Sequence, residues 1–109
     1  MAEIIWSELA LSDLDAIADC IALDKPDAAS RLVERVVRHV ELLTRHPELG
    51  PTIPELRPIS LYRQIVEAPC RVFYRYDKVN RRIFVLGVMR GEKLFQEYLL
   101  LERDESTRL

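Results

Sequence analysis

The sequence has little glycine, little cysteine and no long apolar run, and each shortage excludes a class of function. It holds only three glycines in 109 residues, so the glycine-dependent signatures are absent: there is no P-loop, no G-x-G-x-x-G and no nucleophile elbow. Cys20 and Cys70 lie fifty positions apart, with no C-x-x-C spacing. This favours two reduced, buried thiols over a disulfide or a metal site. We expect no metal and no cofactor.

The absence of long apolar runs also bears on location. No run reaches the roughly 18–20 residues of a membrane helix, and the N-terminus lacks the pattern of a secretion signal. With 49% hydrophobic and 31% charged residues, the composition is that of a folded globular protein. At this length we expect one domain spanning 1–109, cytoplasmic and without a membrane partner.

Charge is sorted along the chain although the net charge is only -2. Residues 1–56 carry five Lys/Arg against eleven Asp/Glu, whereas residues 57–93 carry nine against three. Such sorting predicts a basic surface for an anionic partner, either nucleic acid or an acidic peptide. Because the whole chain is acidic, we expect no stable direct binding to nucleic acid.

Hydrophobic periodicity predicts the order β-α-α-β-β-β followed by a short helix. The predicted strands are 2–6, 59–66, 70–77 and 82–90, and the predicted helices are 7–23, 26–45 and a segment from 92, with 102–109 fraying. Two helices in one hairpin indicate the α+β class, with the helix pair packed on one face of an antiparallel sheet. The other face should stay partly open.

Three local details follow from the same patterns. Ser7 or Ser12 is expected to cap the first helix, and Asp24 the second. Strand 82–90 is apolar on both faces and should be central. Strict alternation would place Ile83, Val85, Gly87 and Met89 on one face of that strand.

The candidate site consists of arginines on or beside the strands. Guanidinium groups suit phosphates and carboxylates alike, which predicts a binding groove, while a solvated sheet face is the alternative. The four arginines are Arg63, Arg71, Arg75 and Arg90. Four aromatic residues lie on the same strands and could stack on bases, although core packing is the simpler role; they are Tyr62, Phe73, Tyr74 and Tyr76.

Other polar residues show no catalytic arrangement. His39 and His46 have no nucleophile or third ligand at a recognisable spacing. Asp13, Asp15 and Asp19 are expected to form a solvated face of the first helix. No residue is therefore assigned a catalytic role.

Two strand motifs resemble the ParE/RelE toxins of bacterial toxin–antitoxin pairs. Residues 70–77 read CRVFYRYD and residues 83–91 read IFVLGVMRG, similar to the family's "YRV-x-Y-x-x-D" strand and the strand that follows it. The segment from Trp6 to Ala10 and the helix-ending HPELG at 46–50 resemble the family's N-terminal half. The resemblance covers nearly the whole chain.

This resemblance implies one of two activities. RelE-like members cleave messenger RNA on the ribosome with a basic cluster and a tyrosine or histidine, whereas ParE-like members lack that cluster and poison DNA gyrase. Here Gly91 and Glu92 follow where a ribonuclease concentrates basic residues, and the long helices look more like ParE. Tyr98 lies near the RelE tyrosine's place, so the endoribonuclease is the alternative, and a module without toxicity is a third.

The resemblance also implies a partner. ParE-like toxins form a hetero-oligomer with a ParD-like antitoxin whose C-terminal segment folds on the toxin, and an acidic amphipathic peptide suits a basic sheet. We expect the antitoxin or target to contact strand arginines and the terminal helix. The expected contact residues are Arg63, Arg71, Arg75, Arg90, Leu94, Phe95 and Tyr98.

Overall fold

Four strands and three α-helices follow one another in the computed structural model, which describes residues 1–91, 95 and 97–107, with the backbone alone for 97–99. The strands are β1 (Glu3–Trp6), β2 (Tyr62–Glu67), β3 (Cys70–Asp77) and β4 (Arg82–Arg90). The helices are α1 (Glu8–Ala22), α2 (Pro26–Glu41) and α3 (Glu97–Glu105). The predicted α+β class and element order are confirmed. Within the described residues, no helix is both long and apolar enough to cross a membrane.

The helix ends agree with the sequence in one case and differ in two. Ser7 caps α1, since its hydroxyl accepts the Ala10 N–H at 3.0 Å. The prediction for Asp24 is wrong: Lys25 is the residue before α2, no side chain caps that end, and Pro26 has no N–H to be capped. The α2 helix ends at Glu41 because the next three residues, Leu42–Thr44, tighten into a 3-10 turn.

The sheet has the order β1-β4-β3-β2, which confirms β4 as an interior strand. β2, β3 and β4 are antiparallel, while β1 pairs with β4 in parallel and makes the sheet mixed. The predicted strand 59–66 begins later, at Tyr62. The chain is still turning at Ile59, whose N–H donates to Leu56 O at 2.8 Å.

A β-bulge in β4 changes which side chains share a face. Phe73 lies opposite Gly87 and Tyr74 opposite Val85, so Leu86 is an extra residue in β4. The alternation reverses there, because one extra residue shifts every later side chain to the other face. Val88 therefore packs in the cluster of Val85, while Met89 packs against the opposite one. Strict alternation along β4 was the wrong prediction.

Apolar clusters lie on both faces of the sheet. The first lies between the sheet and the α1–α2 hairpin and includes Leu14, Leu32, Val36, Tyr74 and Val85. The second, called here the second core, lies on the opposite face and consists of Ile53, Leu56, Tyr62, Phe73, Leu86 and Leu100. α3 and the loop before β2 cover much of this face, while Phe84, Met89 and Phe95 stay only partly buried, so the face is open in part, as expected.

Two smaller expectations also differ from the structure. Cys70 is buried as expected, but Cys20 is exposed, because Ile21 takes the inward position in the last turn of α1. Residues 102–105, expected to fray, belong to α3, and Asp104 is only 1% exposed. A charged tail becomes ordered when its charges find buried partners.

Candidate interaction surface

The sheet separates the four candidate arginines into two pairs. Arg71 and Arg75 lie on the face of the second core. Arg63 is opposite Tyr74 and Arg90 is opposite Cys70 in the strand registers, and residues directly across a ladder share a face. Tyr74 and Cys70 belong to the helix-side cluster. Arg63 and Arg90 are therefore on the other side of the sheet from Arg71 and Arg75.

Arg75 is the centre of a buried ionic cluster and is only 9% exposed. Its Nε donates to Asp104 Oδ1 at 2.6 Å, while the Tyr62 hydroxyl donates to Oδ2 of the same carboxylate at 2.7 Å. The guanidinium also lies over the Phe84 ring, 4.7 Å from its centroid. A buried charge needs such pairing, so this cluster fastens α3 to β2 and β3.

Arg71 forms a second ionic cluster nearer the solvent. Its Nη atoms donate to both Glu55 oxygens at 2.7 and 2.8 Å, and its Nε donates to Gln64 Oε1 at 2.9 Å. The guanidinium lies over two rings that meet edge to face, Phe73 and Phe95. The hydrogen bond from Arg71 lowers the pKa of Glu55. The Glu55 side chain is 41% exposed, so a partner carboxylate could compete for this guanidinium.

On the helix-side face, Arg63 supports the loop between α2 and β2. It donates to Gly50 O at 2.8 Å. The buried Tyr74 hydroxyl accepts the Gly50 N–H at 3.0 Å and donates to Pro47 O at 2.9 Å. Burial raises the pKa of Tyr74. Arg90 is half-buried at the end of β4.

Asp13 is the residue that the sequence reading missed most clearly. It does not belong to a solvated face: its carboxylate accepts the Val88 N–H at 3.0 Å and Arg103 Nη1 at 2.6 Å. Arg103 also donates to Leu86 O at 3.2 Å. These hydrogen bonds lie at the bulge in β4 and connect α1 to α3. In the sequence, the adjacent opposite charges of Arg103 and Asp104 were the signal that could have indicated such ion pairs in the C-terminal segment.

A groove of about 420 Å³ opens between the start of α1 and the end of α3. Its lining combines apolar residues, among them Ile5, Leu9 and Phe84, with the polar Glu8 and Arg103. Leu9 is 51% exposed. Such a groove suits an apolar side chain of a partner flanked by polar groups.

Of the remaining candidates, some have a structural role and others lie outside the described residues. His39 Nδ1 is 3.0 Å from Glu67 Oε2, in a cluster that joins α2 to β2, and His46 is exposed. Among the described residues, no group of three or more His, Cys, Asp or Glu is placed to hold a metal. Leu94 and the side chain of Tyr98 lie outside the described residues.

A family model matches the sequence, and solved structures match the fold. The sequence model described as the ParE toxin of the type II toxin–antitoxin system parDE matches residues 4–95. The chromosomal ParDE system of Pseudomonas aeruginosa contains a chain that is similar at 26% identity and a TM-score of 0.69, over 84% of this chain and 98% of that one. No curated protein matches the sequence.

Two more distant structures share the fold. The RelBE2 toxin–antitoxin complex of Mycobacterium tuberculosis matches at 19% identity and a TM-score of 0.55, over 82% of this chain and 96% of that one. The isolated RelE toxin of Escherichia coli matches at 16% identity and a TM-score of 0.54, over 99% and 98%.

Proposed function

Because the chain belongs to the ParE toxin family of type II toxin–antitoxin systems, we propose that it inhibits DNA gyrase by binding the enzyme and that a ParD-like antitoxin neutralises it. The supporting observation is the pairing of the sheet arginines inside the chain itself. Arg75 is bound to Asp104 and Arg71 to Glu55. Each pair has no net charge. A target would therefore recognise this face by its shape and its hydrogen bonds, and not by an excess of positive charge.

A ribonuclease needs the opposite arrangement. Cleavage of a phosphodiester requires cations and proton-transfer groups placed around the developing negative charge of the scissile phosphate. An arginine with 9% exposure and a buried carboxylate partner is not free to do this. The RelE-like activity therefore remains the alternative outcome of the functional test.

We test the activity with two assays run side by side. Purified gyrase is assayed for supercoiling and DNA cleavage with increasing toxin, and ribosomes programmed with messenger RNA are assayed for transcript cleavage. The proposal predicts loss of supercoiling with intact transcripts. Transcript cleavage with unaffected gyrase would replace it by the endoribonuclease. Inactivity in both assays, with normal growth on expression without antitoxin, would leave an interaction module without toxicity.

The antitoxin contact is proposed to include Arg71, its neighbour Phe95 and the groove beside Leu9. The Arg71 guanidinium is held by a partly exposed carboxylate, so an acidic segment of the antitoxin can take the place of Glu55. An apolar side chain of the same segment would fill the groove. We also propose contacts to the antitoxin from Arg90, Leu94 and Tyr98. Arg63 and Arg75 support this surface from inside the fold.

Charge reversal tests this contact. Arg71→Glu and Arg90→Glu are expected to weaken antitoxin binding at least tenfold, and Glu55→Gln is expected to strengthen it by removing the internal competitor. Arg38→Glu is the matched control, because Arg38 is exposed on α2. Calorimetry measures the affinities, and circular dichroism confirms folding. Unchanged affinity and toxicity in both reversed variants would remove the proposed site.

A further inference from the structure

The groove between the start of α1 and the end of α3 has an apolar floor and a charged rim. Ile5 and Phe84 belong to its lining, and Leu9 stands beside them with 51% of its surface exposed. Such a floor stabilises an apolar side chain of a partner, because the contact removes apolar surface from water. What the groove accepts beside that side chain depends on its two charged residues, Glu8 and Arg103.

Only one of these two residues offers a charge to a partner. Arg103 is paired through two hydrogen bonds, since its Nη1 donates to Asp13 Oδ2 at 2.6 Å and its Nη2 to Asp13 Oδ1 at 3.3 Å. Glu8 is the first residue of α1 and is exposed. It forms no ion pair with any residue that the structure describes. Among the described lining residues, the Glu8 carboxylate is therefore the uncompensated charge.

The helix that carries Glu8 adds to the negative charge. Residues 1–24 include six Asp or Glu and no Lys or Arg. Glu8 thus has no basic residue three or four positions away, where a helix would supply a partner. Asp15 and Asp19 on the same helix are also exposed. Charge complementarity selects a cation for this rim of the groove and disfavours a second acidic group.

We propose that the groove binds an apolar side chain of the antitoxin together with a neighbouring Lys or Arg, and that Glu8 determines this specificity by pairing with the cation. The inference rests on the ParD-like antitoxin proposed above and deepens it. The segment whose acidic residue reaches Arg71 carries a basic residue where it enters the groove. A uniformly acidic segment would meet repulsion from Glu8.

The two contacts also fix the direction in which the segment lies. The Arg71 guanidinium is 5.6 Å from the centroid of the Phe95 ring, just before α3, whereas Ser106 and Thr107, just after α3, line the groove. The two contacts are therefore at opposite ends of α3, whose nine residues span roughly 13 Å. This separation corresponds to about four residues of an extended segment or about nine of a helix. Only one direction along α3 satisfies both charges.

The test measures the affinity of the full-length antitoxin for two matched pairs of toxin variants by calorimetry. Glu8→Lys and Asp24→Lys make the same charge change at exposed positions roughly 24 Å apart along α1. Leu9→Ser and Leu23→Ser remove the same side chain from the groove and from a 90% exposed position. We expect losses of about tenfold for Glu8→Lys and about fivefold for Leu9→Ser, with less than about twofold for both controls. The loss from Glu8→Lys should shrink at high salt, unlike that from Leu9→Ser.

A charge swap identifies the partner cation. Each Lys and Arg in the toxin-binding segment of the antitoxin is reversed to Glu in turn, and one reversal should restore binding to Glu8→Lys by about fivefold. Circular dichroism confirms folding, and Glu8→Gln, with an expected loss of about threefold, replaces Glu8→Lys if that variant does not fold.

Several results would overturn the assignment of the groove. Equal affinities of Glu8→Lys and Asp24→Lys, tighter binding by Glu8→Lys, or the absence of any restoring reversal would each remove the pairing. Self-association of the free toxin that Glu8→Lys abolishes would assign the groove to a second copy of the chain. Wild-type toxin that does not bind the antitoxin would refute the proposed neutralisation as well, whereas the other results leave that proposal intact.

Discussion

Replacing Asp104 by alanine is expected to destabilise the fold by about 3–5 kcal/mol, because the change leaves a buried cation without its partner. Asp104 is 1% exposed and Arg75 is 9% exposed. The lost carboxylate binds Arg75 Nε at 2.6 Å and accepts the Tyr62 hydroxyl at 2.7 Å. Both donors would then lie buried without that acceptor.

The magnitude is large for a chain of this size. Domains of about 100 residues have unfolding free energies of roughly 5–15 kcal/mol, so the variant would lose between about a fifth and all of its stability. A double variant, Asp104→Leu with Arg75→Met, should recover most of this loss, because apolar replacement of a whole buried pair is often neutral or stabilising. The double variant separates the cost of an unpaired charge from the cost of lost packing.

The free energy of unfolding is measured by urea denaturation. Far-ultraviolet circular dichroism and the fluorescence of Trp6, the sole tryptophan, monitor the transition. Asp15→Ala is the control, since Asp15 is exposed on α1 and should change stability by less than about 0.5 kcal/mol. A loss below about 1 kcal/mol for Asp104→Ala, or a double variant no more stable than the single one, would refute the reasoning.

Three further predictions concern the loop before β2. Gly50→Ala should cost at least about 2 kcal/mol, since its Cβ would lie 2.3 Å from Gln64 O; an unchanged urea midpoint would contradict this. Tyr74→Phe should cost about 1–3 kcal/mol in the same assay, because the Gly50 N–H loses its buried acceptor; a neutral effect would mean that water replaces the hydroxyl. Arg71 lowers the pKa of Glu55, so this pair stabilises the fold fully above the ordinary carboxyl pKa and loses its effect as the pH falls below about 4. Glu55→Gln should reduce that acid sensitivity, and an identical dependence of stability on pH in both proteins would exclude the pair as a contributor.

The helices and strands were largely predictable because their signals are local. Apolar spacing alone identified α1 and α2, and β3 and β4 have the predicted bounds. The bulge was not predictable in this way, because the extra residue Leu86 becomes visible only when β4 is paired with β3. A one-residue shift then moved Val88 and Met89 to opposite faces from those expected.

The candidate site was less predictable, because its charged side chains form ion pairs with residues that are distant in the sequence. Arg75 reads as a solvated arginine until Asp104, twenty-nine positions later, is placed beside it. The same holds for Asp13, whose partner Arg103 is ninety positions away. Local patterns identify charged residues, but only the packing of α3 on the sheet decides which of them are neutralised inside the fold.

Inhibition of gyrase by binding, and not cleavage of RNA, is the activity that we propose for this chain. Its most direct test is a titration of gyrase supercoiling with purified toxin, repeated after addition of an equimolar ParD-like antitoxin. We expect inhibition that increases with the toxin concentration and disappears when the antitoxin is added. Full supercoiling at a large excess of folded toxin would contradict it.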